Sequence, residues 1–141
     1  MLEPLRGAQV LVTGATGFTG SVLVRHLAEA GARVRAIARP SSQVDALADL
    51  DIEWVRGQVY DESTVKAAAV GVRYVFHLAA ALREARSSED TYRRVHYTST
   101  RLLAEAATRT PDFKRFVHVS TVGVHGHIAQ PPADETAPFH P

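Results

Sequence analysis

Short apolar runs alternate along this chain with longer stretches whose apolar positions recur every three or four residues. Residues 8–13 (AQVLVT) are nearly continuous in apolar character, as expected of a strand buried on both faces. Residues 17–30 then take a helical period, with Val22, Leu23, Leu27 and Ala30 on one face. Gly31 follows, where a helix C-terminus favours glycine. Residues 33–38 (RVRAIA) form a second strand. Pro40, Ser41 and Ser42 break it, and Ser41 or Ser42 is expected to cap a short helix reaching about Leu50. Residues 52–55 form a third strand. Asp61 is expected to cap a helix through Val70, closed by Gly71. Residues 74–77 (YVFH) form a fourth strand. The longest helix spans 88–108, with Tyr92, Val95, Ser99, Leu102, Leu103 and Ala106 at helical spacing. Pro111 lies just beyond it, and residues 115–119 (RFVHV) form a fifth strand. From Gly126 the chain is Pro-rich and irregular.

Strand–helix alternation of this kind predicts an α/β fold: a doubly wound parallel sheet of about five strands, with helices on both faces in three αβα layers. Crossovers between such strands are right-handed. A chain of 141 residues is one domain's worth of sequence, large enough to bury a core without staples. Residues 1–125 are assigned to that domain, and residues 126–141 to a loop leading out of it. No internal repeat appears beyond the strand–helix rhythm.

The sharpest chemical signal is Thr13-Gly14-Ala15-Thr16-Gly17-Phe18-Thr19-Gly20, which leaves the first strand and opens the first helix. Gly14 permits a tight turn. Gly17 lets backbone approach a pyrophosphate, and Gly20 lets the helix pack close to the sheet. The helix N-terminus then aims unpaired N–H groups at the anion. In this strand–turn–helix context the glycines predict a dinucleotide site of Rossmann type.

Charge and composition remove other classes. Sixteen basic residues against fifteen acidic ones give a net charge of +1, so nothing electrostatic calls for nucleic acid or an acidic membrane. No run approaches the length of a membrane span. The N-terminus lacks the basic and apolar regions of a signal peptide, and the chain is read as cytoplasmic. The absence of cysteine excludes disulfides, thiolate nucleophiles and zinc–sulfur sites. Seven histidines, including the His125-x-His127 pair, come with no supporting acid-rich helix, so no metal is expected. Lys66 and Lys114 are the only lysines, and there is no Asn.

The Gly-x-x-Gly-x-x-Gly spacing resembles the glycine motif of extended short-chain dehydrogenases/reductases, the NAD(P)-dependent epimerase/dehydratase group. Four further segments agree, in the same order. Gly57-Gln58-Val59-Tyr60-Asp61 resembles that group's Gly-Asp-x-x-Asp after the third strand. Val75-Phe76-His77-Leu78-Ala79-Ala80 resembles its fourth-strand motif, residues 95–107 its central helix, and residues 116–126 its fifth strand and active-site turn.

The resemblance implies a cofactor-binding set: Gly14, Thr16, Gly17, Phe18, Thr19, Gly20, Arg39, Gln58, Val59, Leu78, Ala79 and Ala80. Arg39 follows the second strand, where an acid would bind the ribose 2′-hydroxyl of NAD and an Arg suits the 2′-phosphate of NADP. NADP is therefore favoured over NAD. Gln58 replaces the group's Asp and retains an acceptor for the adenine amino group, with Val59 lining the adenine pocket. Thr121 takes the catalytic Ser/Thr position, four residues before His125, which stands in place of the usual Tyr. There the hydroxyl would bond the substrate oxygen. The catalytic Tyr-x-x-x-Lys is absent: four residues after Tyr60, Tyr74, Tyr92 and Tyr97 stand Thr64, Leu78, His96 and Arg101. His96 stands where relatives carry Asn.

The expectation is the N-terminal, cofactor-binding part of a longer enzyme that transfers hydride to or from a small carbonyl or alcohol substrate. These 141 residues alone would be inactive. The alternative is a non-catalytic NADP-binding sensor of the same fold. The resemblance also implies a homodimer, with the helix around residues 92–107 as the packing element.

Overall fold

In a computed structural model, residues 5–81, 88–129 and 131–140 are described. Five strands form one parallel sheet: β1 (Gln9–Thr13), β2 (Arg33–Ala38), β3 (Ile52–Arg56), β4 (Tyr74–His77) and β5 (Arg115–His118). Their spatial order is β3-β2-β1-β4-β5. The chain thus builds outward from β1 in one direction and then returns to build in the other. The point of reversal lies between β1 and β4, where doubly wound folds open a crevice at the carboxyl ends of the strands.

Period-two alternation divides the core into two halves. Val10 and Val12 of β1 point to one face, with Val34, Ala36 and Ile52, and meet Val24 and Leu27 of α1 (Phe18–Glu29). Leu11 points to the other face, with Ile37 and Val75. There it meets Val65 and Ala68 of α2 (Glu62–Ala68), and Leu103 and Ala107 of α4 (Ser99–Thr108). Burial of both sheet faces is why all five residues of β1 are inaccessible and why their sequence reads as a continuous apolar run.

The helices depart from the sequence reading in detail. On α1 the buried line is Gly20, Val24 and Leu27, while Val22 is half exposed. The expected face was rotated because Gly20, with no side chain, carries the contact with the loop beneath it. Ser41 and Ser42 cap nothing: the segment holds only a single 3₁₀ turn, Asp45–Leu47, preceded by Val44 with no side-chain cap. It is anchored instead by Arg25 of α1, whose guanidinium donates to both Asp49 carboxylate oxygens at 2.6 and 3.1 Å and to Ala46 O at 2.6 Å. Asp61 does occupy the N-cap of α2, yet its side chain makes no capping bond. Its carboxylate accepts from Gln58 N at 3.4 Å.

The long helix does start at Ser88, whose hydroxyl accepts from Thr91 N. It is not one regular helix. α3 (Glu89–Tyr92) runs into a π-helical turn over Arg93–Thr98 before α4 resumes. The inserted π turn rotates the buried line, so Ser99, Leu103 and Ala107 are inside while Leu102 and Ala106 are half-buried. Among the described residues, no helix is long and apolar enough to cross a membrane. No group of three or more His, Asp or Glu there could hold a metal ion.

Candidate dinucleotide site

The site is built where β1 ends. Gly14 has φ of +73°, a conformation that L side chains rarely adopt. A Cβ there would stand 2.9 Å from Ala79 N and from Leu78 C, so the turn lies directly against the backbone that follows β4. A Cβ on Gly20 would fall 2.0 Å from Gly14 O, which lets α1 begin on top of the loop. Gly17 is the N-cap of α1, with no side-chain capping bond and no acidic residue in the first turn. The first-turn N–H groups and the positive end of the helix dipole are left for an anion. Thr16, Gly17, Phe18 and Thr19 are exposed around this end, Phe18 at 93%. These residues fit a pyrophosphate: the helix end is uncapped and exposed, and the loop beneath it packs backbone on backbone at Gly14 and Gly20, where a Cβ would collide.

The remaining residues of the expected cofactor set lie along the same edge of the sheet, as parallel strands require. Arg39 follows β2 and is exposed; Gln58 follows β3 and is half-buried. Leu78 and Ala79 follow β4 and are half-buried, and Ala80 is exposed. Val59 follows Gln58 at the same strand end. It is buried among Leu11, Ile37 and Val65, beneath the edge. Gly57 holds a close approach that the motif alone did not explain. A Cβ there would lie 2.2 Å from Thr64 Oγ1 of α2.

Thr121 follows β5 and is exposed. Its hydroxyl oxygen accepts from Gly123 N at 3.2 Å and starts a 3₁₀ turn over Val122–His125. His125 Nδ1 lies 3.3 Å from Pro138 O, and its ring packs on Phe139. His96 Nε2 lies 3.2 Å from both N and O of Ala81, so it fastens the segment after β4 to the π turn.

Beneath the crevice is a polar cluster that the sequence reading did not single out. His77, at the end of β4, is paired in register with Thr13, at the end of β1, and both are buried. Ser99 Oγ donates to Val95 O, and Thr100 Oγ1 donates to His96 O at 2.6 Å. Both hydroxyl protons are thus committed to helix carbonyls. His77 Nε2 lies 3.0 Å from Thr100 Oγ1 and 3.2 Å from Ser99 Oγ, and must be the donor to them. Nδ1 is then bare and accepts from the Thr13 hydroxyl at 2.6 Å. Thr13 Oγ1 in turn accepts from Ala79 N at 3.1 Å. The tautomer follows from this network. Burial, and then the neighbouring His118 and His96, push the His77 pKa down to about 4, which keeps the ring neutral. The signal available in the sequence was a polar residue closing each of two apolar strands.

The sequence model described as "NAD dependent epimerase/dehydratase family" matches residues 10–141. The chain is 36% identical over 134 residues to the Sterol demethylase protein B of Methylococcus capsulatus, covering 93% of this chain and 40% of that one. A short-chain dehydrogenase/reductase superfamily protein from Agrobacterium tumefaciens, solved with bound NAD, matches with a TM-score of 0.81 and 31% identity. That match covers 94% of this chain and 39% of the other. An epimerase from the methanogen Methanothermobacter thermautotrophicus matches with a TM-score of 0.86 and 31% identity, over 96% and 42% of the two chains. The chain therefore spans about two fifths of the length of these relatives. With a glycine loop at the switch point of a β3-β2-β1-β4-β5 sheet and a match across residues 10–141, this chain belongs to the NAD-dependent epimerase/dehydratase family.

Proposed function

We propose that this chain is the dinucleotide-binding part of an extended short-chain dehydrogenase/reductase, with NADP preferred over NAD, and that the whole protein acts on a carbonyl or alcohol carbon. The reading rests on one observation above others. Gly14 turns against the backbone of Leu78 and Ala79, and Gly20 seats the uncapped end of α1 directly on Gly14. A bound nicotinamide would supply or accept the hydride.

Arg39 supports the preference for NADP. Its side chain follows β2, is exposed, and brings a planar cation to the edge where the adenosine ribose lies in this fold. Thr121 supports the site for chemistry. Its oxygen accepts from Gly123 N, which leaves its own proton to donate to a substrate oxygen. A Tyr-x-x-x-Lys does not occur in the 141 residues, so the chain on its own is expected to bind nucleotide without turnover.

Calorimetric titration with NADP and NAD tests the reading. Binding of both, tighter for NADP, with Arg39→Ala abolishing the difference, is the expected result. Equal losses for both nucleotides in Arg39→Ala would remove Arg39 as the phosphate reader. No binding of either by the folded chain would overturn the nucleotide reading itself.

A further inference from the structure

Arg56 ends β3, paired in register with Ala38 at the end of β2. Strand alternation puts it on the same face as Trp54, and its guanidinium carbon stands 5.9 Å from the centre of the Trp54 ring. From there Nη1 donates to Ser42 O at 2.9 Å and to Arg39 O at 3.3 Å. Arg39 O also accepts from Ser42 N at 2.9 Å, which closes a tight turn over residues 39–42. One guanidinium thus holds the first and last carbonyls of the turn that carries Arg39, Ser41 and Ser42. Gly57 N donates to Ala38 O at 3.0 Å, so the base of the turn is also tied to β3. Arg39, Pro40 and Ser41 are exposed, so these bonds are what tie the turn to the sheet. A cation bound to two carbonyls across the turn is also a planar fork on an aromatic plate, a role that Lys fills poorly.

We propose that Arg56 is a positioning residue for cofactor selectivity: by holding the Arg39 and Ser42 carbonyls, it fixes the turn that presents Arg39 to the 2′-phosphate of the adenosine ribose. The inference rests on the reading of Arg39 given above. Arg56 acts through the turn, and its charge adds to the positive field at the same edge. A 2′-hydroxyl, being neutral, gains little from either, so the effect of Arg56 falls on NADP and spares NAD.

The test is titration of the 141-residue chain and its Arg56→Gln, Arg56→Lys and Arg39→Ala variants with NADP and NAD, with a thermal melt of each. Arg56→Gln is expected to lower the ratio of NADP to NAD affinity roughly tenfold, the scale of one lost charge-assisted bond, while NAD affinity stays within about twofold. Arg56→Lys is expected to recover part of that ratio. If the ratio falls in Arg39→Ala but not in Arg56→Gln, the inference is wrong and the Arg39 reading stands. If it falls in neither, the Arg39 reading fails and takes the inference with it. Equal losses for both nucleotides in Arg56→Gln, with a lowered melting temperature, would make Arg56 a structural brace only and overturn its role in selectivity.

Discussion

The hydroxyl of Thr13 stands 2.6 Å from Nδ1 of His77, and both side chains are shut away from solvent. The pair joins the end of β1 to the end of β4 at the point where the sheet reverses direction. Thr13 also accepts from Ala79 N, so it fixes the backbone against which Gly14 turns. Thr13→Val keeps the shape, but strands a histidine nitrogen and an amide N–H. The buried nitrogen costs about 1–3 kcal/mol, and the half-buried N–H adds a smaller amount. Urea unfolding should show that loss, and Thr13→Ser, which restores the hydroxyl, should regain most of it. A Thr13→Val variant as stable as the parent would mean water satisfies both groups.

The neutral His77 gives stability a pH dependence of predictable sign. Its pKa is about 4 in the folded chain against an ordinary 6.5 when unfolded. Between these values the unfolded state binds the proton and the folded state does not, so stability rises with pH across that window and falls on acidification. The full effect is about 3 kcal/mol, fully felt only near pH 4 and below. The exposed carboxylates Asp49, Glu62 and Asp134 are held below their ordinary range by hydrogen-bonding partners, so their losses fall mainly below pH 5. The contribution of His77 is read from denaturation midpoints between pH 5 and 7 by comparing the parent with a His77 variant. The slope there should flatten in His77→Gln.

Gly20→Ala places a methyl 2.0 Å from Gly14 O, and that neighbour is backbone. The start of α1 must lift off the loop. Dinucleotide binding should fall by two orders of magnitude or more, about 3 kcal/mol, while the circular dichroism spectrum remains that of an α/β protein. Retention of binding by Gly20→Ala would show that this helix end is not the pyrophosphate site.

Gly57 and Thr64 should couple energetically. Gly57→Ala drives a methyl to 2.2 Å from Thr64 Oγ1 and 2.7 Å from its Cγ2. Thr64 is β-branched and stiff, so α2 must shift, at a cost of about 1–3 kcal/mol. Thr64→Ala removes both colliding atoms. A double-mutant cycle is expected to return a favourable coupling of about 1 kcal/mol or more, whereas simple additivity would mean that α2 moves freely.

The glycine loop was legible because its constraint is local. A turn with positive φ, a close helix and an open helix end each need glycine at a fixed offset from a strand. The strands were legible because burial on both faces leaves a continuous apolar run, and residues 33–38 and 74–77 match β2 and β4 residue for residue. Helix faces were less legible. Period alone cannot register a π turn such as Arg93–Thr98, which rotates everything after it. Ser41 and Ser42 looked like caps, but the segment after them is held by Arg25, which lies far away in sequence.

The sequence alone therefore determined the layered α/β architecture and the strand–turn–helix placing of the glycine loop, since these follow from short-range periodicity and from glycines at fixed spacing. The tertiary structure decided which polar residues serve one another. Thr13 and His77 are 64 positions apart, and Arg56 lies 17 from the carbonyl of Arg39. No local pattern marks such pairs, because parallel crossovers bring strand ends together only after the intervening helix has folded back onto the sheet.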